Sequence, residues 1–166
     1  MNVSKSSNSY ILVMGIEPMT VGELYKKELH STLLHWFHSE YTIEQISKLL
    51  APVFKETNPF NILSGQVSNF GGERELLVNL VVKSDDLKAL HDAVRGALDG
   101  INVKYLNPEY VGEGWRPHVT LQGLRSLPEG QSVTIKEVYL VECPNGPEIP
   151  PIMVRAKYRL GSENPS

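Results

Sequence analysis

Apolar positions along this chain repeat with two different periods, and the periods divide it into elements. Tyr10 to Ile16 is a continuous apolar run closed by Glu17-Pro18, the pattern of a central strand. Phe60 to Phe70 and Glu75 to Val82 read as two further strands joined at Gly71-Gly72, a turn that tolerates positive φ. Val133 to Val141 and Ile152 to Leu160 read as closing strands, separated by the proline-rich stretch Pro144 to Pro151. Elsewhere the spacing becomes helical. Ile43, Ile46, Leu49, Leu50 and Val53 form one stripe, opened by a Thr42/Gln45 capping box with Tyr41 stapled to Ile46, and Pro52 is expected to kink or end it. Leu87, Leu90, Val94 and Leu98 form a second stripe after the acidic start Ser84-Asp85-Asp86, and Gly100 stops it. Thr20-Val21-Gly22-Glu23 has the form of another capping box, with Met19 and Leu24 as a staple, and predicts a short helix. His91 sits beside the second stripe and reads as a packed structural histidine.

Two remaining strand-like runs carry the chemistry. His30-Ser31-Thr32-Leu33 opens LHSTLLHWF, and His118-Val119-Thr120-Leu121 opens a run in the other half of the chain. Side chains alternate along a strand, so each motif sends its histidine and its second hydroxyl residue to one face. Imidazole, with an ordinary pKa of about 6.5, can take or give a proton near neutrality. Threonine hydroxyls can donate hydrogen bonds to phosphate oxygens where negative charge must be held. One base, one acid and two donors suffice for a phosphodiester without a metal. His30, Thr32, His118 and Thr120 are therefore the candidate catalytic residues.

Trp36, Trp115 and Arg116 are the candidate substrate contacts. In a regular strand Trp36 and His38 share the face of His30, while His35 lies opposite. Trp36 on that face either stacks a base or packs between lobes. Arg116 lies two residues before His118, with Pro117 favouring an extended approach, so its guanidinium either meets a phosphate or lies on the surface. Lys26 and Lys27 lend positive charge near His30 or are solvated lysines. A metal hydrolase recruiting His30, His35, His38 and His118 is disfavoured, because His35 is expected to face away and no HExxH or carboxylate cluster accompanies it.

Composition narrows the picture without redirecting it. At 166 residues and 41% hydrophobic, the chain has the size of one compact domain, placed at residues 9–161 between tails at 1–8 and 162–166. A net charge of −3 gives no global attraction to duplex DNA, so a nucleic-acid substrate is expected to be small or to be held by a local patch. Cys143 is the sole cysteine, which excludes an internal disulfide and makes a cytoplasmic location the expectation. The longest apolar run is too short to span a bilayer. A monomer is expected.

The paired motifs resemble those of the 2H phosphoesterase superfamily, which includes the 2'-5' RNA ligase-like proteins and whose pattern is two copies of H-x-[ST] with apolar flanks. The resemblance extends over roughly residues 9 to 161 in the order of elements and is specific in the motif pair. It implies an α+β bilobal fold: two antiparallel sheets flanked by helices, with both motifs meeting in a central groove. It also implies a phosphodiesterase that needs no metal or other cofactor, using His30 and His118 as acid and base. The implied substrates are small nucleotides or oligonucleotides with 2',3'-cyclic phosphates or 2'-5' linkages. Two alternatives stay within the resemblance: hydrolysis of cyclic oligonucleotide signals, as in phage relatives that silence bacterial defence, and an inactive module that only binds nucleotide or RNA. Several relatives carry a basic residue shortly after the second motif. Here Gln122 and Gly123 follow Leu121, and Arg125 comes later.

Overall fold

Nine strands and two helices make up the computed structural model, which describes residues 8–162. In chain order these are β1 (Ser9–Gly15), β2 (His30–His38), α1 (Ile43–Lys55), β3 (Phe60–Asn69), β4 (Leu77–Val81), α2 (Asp85–Asp99), β5 (Lys104–Tyr105), β6 (His118–Thr120), β7 (Ser132–Ile135), β8 (Glu137–Cys143) and β9 (Met153–Arg159). The tails expected at the ends lie, apart from residues 8 and 162, outside the described residues. Every strand pairing is antiparallel, and the spatial order is β7-β3-β4-β6-β2-β1-β8-β9, with β5 also on β2. The result is α+β: a curled antiparallel sheet with two helices. The two expected lobes are the four-strand halves β7-β3-β4-β6 and β2-β1-β8-β9 of this arrangement, joined where Ser31 pairs with Val119.

Both helices form for the reasons their sequences give. Thr42 accepts from the Gln45 backbone N–H at 3.1 Å while the Thr42 N–H donates to the Gln45 side chain at 2.8 Å, closing the capping box of α1. Ser84 caps α2 by accepting from the Leu87 N–H at 3.3 Å. Pro52, expected to kink or end α1, does not end it: it lies inside the helix, which runs on to Lys55. Pro52 and Lys48, four residues earlier, are both exposed, so water can serve the carbonyl that proline leaves without a donor. Buried Ile46, Leu50 and Phe54 of α1 and Leu87, Leu90, Val94 and Leu98 of α2 pack with Tyr10, Leu12, Met14, Leu34 and Phe37 on one face of the sheet. A smaller cluster of Ile11, Val13, Trp36, Tyr139, Val141 and Val154 is closed by Met19 and Tyr25 from the segment before β2.

Three predictions of local structure give way to tertiary context. Thr20 to Glu23 forms a turn rather than a helix, because Gly22 adopts φ +90° and the segment bonds along β9 instead. Gly22 N–H donates to Val154 at 2.8 Å, Val154 N–H to Glu23 at 3.0 Å and Tyr25 N–H to Ile152 at 2.8 Å. The run from Val133 to Val141 is not one strand. It breaks at Lys136, so that β7 pairs with β3 in one half and β8 pairs with β1 in the other. Finally, β2 is not regular. Opposite β1, Thr32 pairs with Val13, Leu34 with Leu12 and Phe37 with Tyr10, so β2 carries two bulges: the first flips the expected facing of Leu34 and His35, and the second restores it from Trp36 onward.

The first bulge leaves consecutive carbonyls of β2 available to side chains. Trp115 Nε1–H donates to the Thr32 carbonyl at 3.2 Å, and His91 Nδ1–H donates to the Leu33 carbonyl at 2.8 Å. The two rings stack with centroids 4.0 Å apart and planes 6° apart, and His91 Nε2 accepts the Gly112 N–H at 3.0 Å. His91 is thus the packed structural residue expected, only 1% exposed and using both nitrogens. Its neutral form is required, since a proton on Nε2 would face another donor. Burial lowers its pKa below 6.5, partly opposed by the bond to Leu33. The native state therefore binds fewer protons than the unfolded chain, and this contribution to stability is complete above about pH 6.5 and lost as pH falls below it. Urea unfolding should show His91→Phe destabilised by about 1–3 kcal/mol at pH 7. The variant should also lose less stability than the parent between pH 7 and 5.5; equal slopes would remove His91 as the responsible group.

Candidate active site

The site follows from the single register pair that joins the halves. Ser31 and Val119 are fully buried and oppose one another, with Ser31 also opposite Met14 on the helix side of the sheet. Their neighbours must point the other way. Antiparallel pairing then sets His30 across from Thr120 and Thr32 across from His118, all four half-buried on the face away from the helices. The two histidines are diagonal partners, which places their Cβ atoms roughly 7–8 Å apart. That spacing leaves room between the rings for a tetrahedral group.

Each histidine is held in the same way. His30 Nδ1 lies 2.8 Å from the Glu28 carbonyl and His118 Nδ1 lies 2.8 Å from the Arg116 carbonyl, each two residues back along the chain. A carbonyl can only accept, so each Nδ1 carries the proton and each neutral ring keeps its lone pair on Nε2. Each ring also meets the edge or face of an aromatic side chain, Tyr25 at 5.5 Å for His30 and Phe70 at 4.6 Å for His118, centroid to centroid. Burial holds both pKa values below 6.5. The Glu28 carbonyl opposes this at His30, and the nearby His118 reinforces it; at His118 the Arg116 carbonyl opposes and the Arg116 charge reinforces. Both rings are consequently neutral at pH 7, which suits a base, and an arriving anion favours protonation of one of them.

The candidate substrate contacts fare differently. Trp36 is 7% exposed within the smaller apolar cluster, and Trp115 is 2% exposed in the clamp on Thr32. Neither indole offers a face to a base, so both assignments are corrected to packing. Arg116 is exposed, and its guanidinium lies 4.8 Å over the Phe70 ring beside His118. It makes no salt bridge among the described residues. Lys26 is exposed and bound to Glu23 at 2.6 Å. Arg125 reaches back to Glu17 and, at 3.1 Å, to the Lys27 carbonyl, tying the turn after β6 to the segment before β2.

His35 was expected to face away from His30. Leu34 and Phe37 both oppose helix-side residues of β1, so the intervening His35 and Trp36 fall on the other side, and His35 lies within electrostatic reach of His118. Tyr25, Phe70, His35 and Tyr110 are the site's neighbours that sequence reading missed. The aromatic residues carry no local signal, and His35 was hidden by the bulge. Among the described residues, no group of three or more histidine, cysteine or acidic side chains is arranged to hold a metal ion, and no helix is long and apolar enough to cross a membrane.

Comparison with known proteins identifies the family and the fold. The model of the 2'-5' RNA ligase superfamily matches residues 20–139, which include both motifs. Among solved structures, TT0787 of Thermus thermophilus is similar with a TM-score of 0.63 at 14% identity, covering 94% of this chain and 100% of its own. A protein described as a phosphoesterase gives 0.57 at 14% identity, covering 94% and 99%. E. coli LigT complexed with 3'-AMP gives 0.54 at 14% identity, covering 93% and 99%. At such identity these likenesses speak for the fold. No curated protein sequence matches the chain.

In proton NMR titrations of the ring Cε1–H signals, His30 and His118 should both show midpoints below 6.5, and inorganic phosphate should raise at least one of them. A midpoint at or above 6.5 for both in the free protein would contradict the burial argument.

Proposed function

The chain belongs to the 2'-5' RNA ligase superfamily, and we propose that it is a phosphodiesterase that opens RNA-type phosphoesters, 2',3'-cyclic phosphates or 2'-5' linkages, by acid-base catalysis between His30 and His118. The observation that carries this reading is the diagonal set at the β2–β6 junction: the register puts His30, Thr32, His118 and Thr120 on one face of the sheet, with each Nδ1 held by a backbone carbonyl. A small nucleotide is the substrate class it fits, and LigT, whose fold the chain shares, has been solved with 3'-AMP.

In the proposed reaction, the Nε2 of one neutral histidine takes a proton from water as the water oxygen bonds to phosphorus. The phosphorus–oxygen ester bond breaks, and the departing ribose oxygen takes a proton from the other, protonated histidine. The two rings exchange protonation states, and exchange with solvent resets them. Thr32 and Thr120 donate hydrogen bonds to the non-bridging oxygens. Arg116 adds positive charge on the His118 side. The order of acid and base depends on which way the ester lies. In a cyclic phosphate, ring strain lowers the demand on these groups.

Because both free-enzyme pKa values are lowered, kcat/KM should peak on the acid side of 6.5, and kcat, which reports the phosphate-bound state, should peak at higher pH. Turnover of a 2',3'-cyclic nucleotide and a 2'-5' dinucleotide should fall at least ~100-fold in His30→Ala and in His118→Ala. Thr120→Val should lose about 100-fold, as for removal of one donor to the developing charge. Thermal unfolding should show that these variants stay folded, and a chelator should leave turnover intact. Near parental turnover in either histidine variant would remove that residue from its role.

A further inference from the structure

A third histidine shares the open face with the proposed catalytic pair, and its chemistry differs from theirs. His35 reaches this face because β2 bulges between Thr32 and Leu34. Bulges commonly re-aim side chains next to active sites, and here one turns a ring that a regular strand would bury among the helices. The ring is half-buried, and its Nδ1 is buried with no hydrogen-bond partner among the described residues. Two states compete for the neutral imidazole. A proton on Nδ1 would leave a buried N–H orphaned, whereas a proton on Nε2 leaves only an unused lone pair, the less costly defect. His35 thus carries its proton on Nε2. His30 and His118 present acceptors, and His35 presents a donor.

The surroundings define what this donor meets. The Tyr110 ring lies 5.3 Å from the His35 ring at 45°, and Tyr110 is 48% exposed. Burial and the nearby His118 both lower the His35 pKa, while Glu109 raises it, so the ring is neutral rather than cationic at pH 7. Glu109, next to Tyr110, is unfavourable for a second phosphate. A neutral donor beside an exposed aromatic face suits a planar, uncharged heterocycle with acceptor atoms on its edge.

Resting on the phosphodiesterase reading, we propose that His35 and Tyr110 form a nucleobase subsite on the His118 side of the face: the base lies against the Tyr110 ring, and His35 Nε2–H donates to an acceptor on its edge. His35 in this role is a specificity determinant and takes no part in moving protons.

The test compares a nucleoside 2',3'-cyclic phosphate with the base-free methyl riboside 2',3'-cyclic phosphate. The ratio of kcat/KM for the two should fall about tenfold in His35→Phe, mainly through KM for the nucleotide, and about tenfold in Tyr110→Ala. His35→Gln, which keeps a neutral donor, should recover most of the ratio. An unchanged ratio in both His35→Phe and Tyr110→Ala overturns the subsite, as does an equal loss of kcat on both esters, which would put His35 on the phosphate. Calorimetric titration with adenosine 3'-monophosphate and with inorganic phosphate separates this proposal from the catalytic one. If the parent protein turns over neither ester, the acid-base reading fails. The subsite then stands if His35→Phe weakens nucleotide binding about tenfold with phosphate binding unaltered, and falls if both are unaltered.

Discussion

One pair of residues, Ser31 on β2 and Val119 on β6, brings the two halves of the sheet into register. Such a short pairing supplies little cohesion by itself. It is held by the stacked rings of His91 and Trp115, whose N–H groups occupy the carbonyls of Leu33 and Thr32 at the end of the first motif. Lys83 adds a bond to the Trp115 carbonyl at 2.9 Å from the second half's side. The approach to His118 is thereby fastened to the strand that carries His30. A displacement of this clamp would move the two motifs relative to one another without touching any reacting group.

The same side chain is used in opposite senses according to what its Nδ1 meets. Facing a carbonyl two residues back, His30 and His118 keep Nε2 free to accept. With Nδ1 on a carbonyl of β2 and Nε2 accepting a backbone N–H, His91 is locked into the core. Facing nothing, His35 reverses its tautomer. Burial lowers the pKa of all four, so imidazole serves here mainly as a neutral, directional group.

Much of this was legible in the chain because it is local. The helix starts at Thr42 and Ser84, the strand content and the two H-x-T motifs are short patterns whose physics lies within a few residues. The shared face of the motifs was legible too, since alternation holds over the three residues from 30 to 32 and from 118 to 120. It failed at Leu33-Leu34, where two apolar residues in sequence both join the helix-side core and reverse the facing of Leu34 and His35, until the second bulge restores the alternation from Trp36 onward. Val133 to Val141 is rich in strand-forming residues on both sides of Lys136-Glu137, and no glycine or proline marks the change of neighbour there. Trp36 and Trp115 were placed among the candidate substrate contacts, with packing left open for Trp36, but an indole is as well satisfied by a core, and its burial is decided by residues distant in sequence, such as Tyr139 for Trp36 and His91 for Trp115. Gly22 illustrates the reverse case: the capping pattern around it is genuine, and a backbone turn demanded by β9 overrides it.

The crossing at Lys136 also has a bearing on how the protein is made. Strands β3, β4, β6 and β7 all lie between residues 60 and 135, whereas β1 waits for β8 as its second neighbour. A chain emerging from the ribosome can assemble the inner half while β1 still lacks that neighbour. The outer half, which holds the first motif, is completed only after β8 and β9 have been synthesised. Long-range pairing of this kind is intrinsically slow. The proposed site straddles the early half and the late one, so its two motifs come into register with a complete sheet around them only after β8 and β9 have emerged.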